Sequence, residues 1–222
     1  LSFILSLFTS CDQEPNNKSL TYQNIIILSD MSSRIKNKPQ KDLVKIKDII
    51  NFFKNECVKP GKKIGDRSAL LFSTFSNKVI ASIDINKFEK LTEKQQFVNS
   101  TGEFKNSGFT QQICNFEKEV ISTYAQNSTP GLDLISVLIE KIENESIIKE
   151  NTYLRNGIDT TFINFENHIN IFTDGYLEYK DKHINDQYYF GDREINEIRK
   201  LCSFPRCCYQ SWVKALKNIS GS

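Results

Sequence analysis

Histidine is scarce in this chain: there are two among 222 residues, His168 and His183, in separate segments, and they complete no metal or catalytic constellation. There is no glycine-rich phosphate loop of the dinucleotide or P-loop type, and no G-x-S-x-G nucleophile elbow. The common nucleotide-dependent and serine-hydrolase chemistries are therefore without their sequence marks. Cys202, Cys207 and Cys208 do not give the C-x2-C spacing that a zinc site uses. Charge of one sign is also missing. With 29 basic against 27 acidic residues the net charge is +2, and nothing electrostatic points to nucleic acid. No apolar run is long enough to span a bilayer, since the most hydrophobic stretch, residues 1–8, is far too short. No internal repeat is present.

What is there is a globular composition, 39% hydrophobic and 25% charged, enough apolar material for one real core. Residues 1–8 (LSFILSLF) look like the apolar region of a secretory signal whose basic leading part is missing. The run ends in Phe8-Thr9-Ser10-Cys11, which resembles a bacterial lipobox with Phe8 in place of the usual aliphatic residue. That resemblance implies cleavage before Cys11, a diacylglycerol on its thiol, and a lipid-anchored protein of the bacterial cell envelope, facing the periplasm or the cell surface. The plainer readings are an ordinary secretory signal with an incidental cysteine, or a buried N-terminal strand. The polar residues 12–19 (DQEPNNKS) read as a flexible tether, leaving residues 20–222 for the folded domain. With Cys11 lipidated, five cysteines remain, an odd number that cannot all pair within the chain. They are read as structural.

Residues 24–29 (NIIILS) form a continuous β-branched run, the pattern of a strand buried on both faces. Pro39 stands near a helix start, and Leu43, Ile46, Ile49, Ile50 and Phe53 recur at helical spacing until Lys59-Pro60-Gly61. Residues 68–75 and 78–85 read as two strands joined by a tight turn at Ser76-Asn77. Residues 86–108 are polar and weakly patterned. Ile113, Phe116, Val120 and Ile121 mark a helix over 110–124, and Leu134, Ile135, Leu138, Ile139 and Ile142 mark another over 131–142. Residues 144–166 read as a polar, irregular connection. Residues 168–173 (HINIFT) are a further buried strand closed by Asp174-Gly175, and 193–201 read as helical. Strands alternating with amphipathic helices predict an α/β fold: an open, mostly parallel sheet with helices on both faces and one antiparallel edge pair. Such sheets place their ligand site beyond the carboxyl ends of the strands, where Asp30 and Asp174 stand.

These landmarks resemble a von Willebrand factor A domain over residues 24–201. The first strand runs into Asp30-Met31-Ser32-Ser33-Arg34, and the later strand ends in Thr173-Asp174-Gly175. Gly65-Asp66-Arg67-Ser68 and the strand behind it resemble the second strand of that family and its lead-in. The resemblance implies a Rossmann-like arrangement and a metal-ion-dependent adhesion site. A hard cation such as Mg2+, or Mn2+ or Ca2+, takes oxygen ligands and keeps some waters. Asp30 and Ser32 would bind from the first loop, Asp174 from the opposite side, and a threonine from a third loop. Thr129, in Ser128-Thr129-Pro130-Gly131, matches that threonine by order, with Thr110 as the fallback. An open coordination position would accept an acidic group of a protein partner, making the chain a binding module rather than an enzyme.

Arg34 departs from the family pattern, which has serine there. A guanidinium cannot ligate a metal. Ser33 is one residue out of place, and Arg34 can instead stand in for the cation between the carboxylates. Taken singly, an aspartate after a strand is also a helix cap or turn former. Two other functions stay open: a Mg2+-dependent phosphoester hydrolase using Asp30 and Asp174, and a structural envelope protein with a dead site.

Overall fold

A computed structural model of the chain describes residues 17–31, 38–62, 66–76, 79–126, 134–145 and 147–173. The calls on Cys11, Ser32, Ser33, Arg34, Thr129, Asp174 and the helix over 193–201 lie outside these residues. Five strands form one open sheet with order β3-β2-β1-β5-β4. In chain order they are β1 (Lys18–Ser29), β2 (Ala69–Thr74), β3 (Val79–Asp84), β4 (Thr152–Asn156) and β5 (Asp159–Phe172). Among the described residues four α-helices accompany them: α1 (Lys38–Phe52), α2 (Leu91–Asn99), α3 (Phe109–Ala125) and α4 (Leu134–Asn144).

The β-branched run Ile25-Ile26-Ile27 explains the centre of the sheet. It lies between two parallel neighbours, with Ile25 opposite Leu70 of β2 and His168 of β5. Side chains of a strand alternate between faces. Ile25 and Ile27 accordingly join a core with Ile46 and Ile50 of α1 and Phe109, Phe116 and Val120 of α3. Ile26 and Leu28 join a second core with Val137 of α4. Each such fully buried side chain contributes about 1.5–3 kcal/mol relative to an exposed one. Pro39 sits in the first turn of α1, where its missing N–H costs nothing. Past Phe52 the helix widens into a π turn over Phe53–Val58, ending at a left-handed Lys59 whose N–H bonds Lys54 O. Widening aligns i with i+5, so Phe53 and Val58 both bury against the sheet.

Three expectations are corrected. The sheet is mixed rather than mostly parallel: β1 pairs in parallel with β2 and β5, but β2–β3 and β4–β5 are antiparallel, two antiparallel pairs where one was expected. The second pair arises from the stretch read as an irregular connection, a hairpin closed by the two-residue loop Gly157-Ile158. Gly157 takes φ +64°, a backbone open to glycine at little cost. The weakly patterned residues 86–108 contain α2, fastened by an aromatic cluster of Phe88, Phe97, Phe104 and Phe109. Gly108 starts the next helix so close to that corner that an added Cβ would meet Phe104 O at 2.6 Å. In addition, β1 begins at Lys18, inside the expected tether, and Ile121 and Ile142 face solvent. Cys57 is buried in the core and Cys114 is exposed.

Candidate functional site at the carboxyl edge of the sheet

The carboxyl end of β1 is held from both sides. Phe75 N donates to Ser29 O (3.3 Å), and Asp30 N donates to Phe172 O (2.7 Å), which carries the β1–β5 ladder one step past the strand. Asp30 is thereby fixed with its side chain buried. The Thr173 hydroxyl, one residue beyond β5, donates to Asp30 Oδ2 at 3.2 Å. Asp30 and Thr173, the described ends of the two suspected motif segments, therefore stand in contact at the carboxyl ends of adjacent parallel strands. Asp174 is the residue after Thr173.

Hydroxyl groups dominate the rest of this edge. Ser29 and Thr74 are buried at the ends of β1 and β2, and the Thr74 and Ser76 hydroxyls lie 3.3 Å apart. Lys141 of α4 brings a buried ammonium to the same edge, donating to Ser73 Oγ (3.0 Å) and pairing with Glu145 (3.2 Å). Among the described residues, no group of three or more His, Cys, Asp or Glu side chains could hold a metal. Asp30 and its hydroxyl neighbours nonetheless supply the hard oxygen donors that Mg2+ prefers.

The sequence reading missed Tyr124, Ser29 and Asp42. Tyr124, at the end of α3, donates its phenol to Ser29 Oγ (2.8 Å) and reaches Asp42 Oδ2 of α1 (3.3 Å). This joins two helices to the strand residue just before Asp30. The available signal was a tyrosine closing the apolar stripe of α3, which a core residue explains equally well. The same contact removes Thr110 as a ligand. Thr110 opens α3, hydrogen-bonded to Ser100, and the fourteen-residue rise to Tyr124 puts it roughly 21 Å along the helix from this edge. Asp66 is buried at the other edge, where it accepts from Ser68 N (3.2 Å) and Ser68 Oγ (3.0 Å) and shapes the lead into β2.

Burial pushes the Tyr124 phenol above its usual value of 10.0; the hydrogen bond with Ser29 opposes this, and the charge of Asp42 adds to it. A raised folded-state value means the stability it contributes is complete below pH 10 and is lost as pH climbs further. Tyr124→Phe should therefore cost about 1 kcal/mol at neutral pH, the net worth of a hydrogen bond. The gap in melting temperature between variant and native chain should narrow between pH 9 and 11. A gap that stays constant over that range would mean Tyr124 does not keep its proton in the folded state.

The described residues thus define an α/β protein with a mixed five-stranded sheet and a hydroxyl-rich carboxyl edge around Asp30. Compared with known proteins, the chain matches no family model, no curated protein and no solved structure.

Proposed function

We propose that this chain is a lipid-anchored binding module of the bacterial cell envelope, of von Willebrand factor A type, which presents a divalent-cation site to a protein partner. The supporting observation is the 3.2 Å contact between Thr173 Oγ1 and Asp30 Oδ2 on parallel neighbouring strands. It joins two sequence segments 143 residues apart at the edge where open α/β sheets bind ligands. In this reading Asp30, Ser32, Thr129 and Asp174 hold Mg2+ or Mn2+, with Ser33 as a substitute hydroxyl. The cation supplies a Lewis-acidic position for a carboxylate of the partner. Arg34 is the rival occupant, an internal cation between the same carboxylates.

Calorimetry separates the two. A ligand that binds only the folded state raises its melting temperature. If the site takes metal, Mg2+ or Mn2+ stabilises the native chain and Asp174→Ala abolishes the shift. If Arg34 occupies it, the native chain ignores the cation, while Arg34→Ser loses stability without metal, because the carboxylates then repel, and gains a Mg2+ response. No response in either chain rejects the adhesion site and leaves the fold alone.

A further inference from the structure

Beyond Asn24 the register of β1 with β2 stops, whereas its pairing with β5 continues back to Lys18↔Thr161. Residues 18–22 of β1, the start of β5 and all of β4 therefore make a three-stranded ribbon. Its β5 strand runs eight residues, roughly 26 Å at about 3.3 Å per residue, past the start of the β1–β2 ladder. The loop Gly157-Ile158 closes its tip, at the same end of the sheet where the chain comes in from Cys11.

This ribbon carries Leu20, Tyr153, Leu154, Ile158 and Phe162, all large apolar or aromatic side chains between 44% and 57% exposed. Their placement matters more than their number. Tyr153 and Phe162 are cross-strand partners on one face. Leu154 pairs with Thr161 and Leu20 with Ile163, which puts both on the other face. Ile158 is at the tip. Farther from the tip the second face is closed by the buried cluster of Tyr22, Ile163 and Phe165. Near the tip exposed apolar groups stand on both faces, Tyr153 and Phe162 on one and Leu154 on the other, and a medium that surrounds the end of the element suits them better than a partner that covers one face. Lys18 and Arg155 stand among them, against Asp159 at the start of β5, and the Arg155 guanidinium lies 5.3 Å from the Tyr153 ring centre. Aromatic side chains with basic neighbours are the residues that settle at a bilayer interface with anionic headgroups.

We infer that the β4–β5 ribbon dips into the membrane surface beside the anchor, with Ile158 leading. The inference rests on the proposed lipidation of Cys11, since seven extended residues span at most about 25 Å and keep the ribbon within reach of the headgroups.

The test uses the full chain with Cys11→Ser, which removes acylation, and phosphatidylglycerol vesicles. Ile158→Asp with Phe162→Asp should weaken vesicle partitioning about tenfold, a ratio that corresponds to roughly 1.4 kcal/mol. Val44→Asp, on the exposed side of α1, should leave it unchanged. In the acylated native chain, vesicles should slow amide exchange over residues 152–162. Equal partitioning of the two variants, or exchange that vesicles do not alter, overturns the inference. So does a change from dimer to monomer in lipid-free solution on introducing the two aspartates, which would assign the ribbon to a second copy. Mass spectrometry of the mature N-terminus reports separately on the anchor: an unacylated Cys11 rejects the lipoprotein reading while the partitioning ratio still decides the ribbon.

Discussion

Phe72→Ala is expected to cost about 3–5 kcal/mol, the range for truncating a fully buried phenylalanine. Phe72 is in the second position of the sheet, with no exposed surface, and its ring lies 6.4 Å from those of both Phe116 and Tyr124. It thus joins β2 to the C-terminal half of α3. Domains of this size are stable by roughly 5–15 kcal/mol, so the variant should lose a large share of its stability. Urea unfolding followed by circular dichroism measures this, with an unchanged dependence on denaturant as the sign that the folded state is the same. Val79→Ala, on the exposed part of β3, should move stability by less than about 0.5 kcal/mol. A loss below about 1 kcal/mol at Phe72 would mean the helices do not pack on this face as described. Because Tyr124 stacks on Phe72 and bonds Ser29, the Phe72 variant should also loosen the residue before Asp30.

The second large effect concerns Asp30 itself. Asp30→Asn keeps an oxygen to accept from the Thr173 hydroxyl but removes the charge. On whichever background responds to Mg2+, native or Arg34→Ser, it should abolish that response, worth about 2.7 kcal/mol at a hundredfold excess over the dissociation constant. Without metal, Asp30→Asn should stay near native stability. Asp30→Ala removes the acceptor of the Thr173 hydroxyl and should cost about a further 1 kcal/mol, the net worth of that hydrogen bond. Calorimetry with and without Mg2+ reads both effects. Full retention of the Mg2+ shift by Asp30→Asn would exclude Asp30 as a ligand and move any cation site elsewhere.

The parts of the fold that could be read from sequence are those where burial writes a regular pattern. Ile25, Ile26 and Ile27 are buried on both faces, and a run of β-branched residues is the direct imprint of that. The strand through His168 showed the same signal, and the two pair in parallel. The hairpin was hidden because every residue of β4 is exposed, so no alternation marks it. Its one clue was Asn156-Gly157, a turn dipeptide set in polar sequence. The second helix was hidden for another reason: of its nine residues only Lys94, Phe97 and Val98 are buried, and its packing comes from phenylalanines outside it. At the site, Asp30 was legible because it follows a buried strand. Tyr124 and Asp42 were not, because Tyr124 meets Ser29 across 95 residues and Asp42 across 82, separations that no local spacing encodes.

The central position of β1 has a mechanical consequence. It is paired with β5 along all twelve of its residues and with β2 along six. If the chain is tethered through Cys11 and gripped by a partner at Asp30, as proposed, tension enters at one end of this strand and leaves at the other. The covalent backbone of β1 would then carry that load directly, and neither parallel ladder would have to open for the force to pass. The strand that places the site would also be the one best able to carry the pull on it.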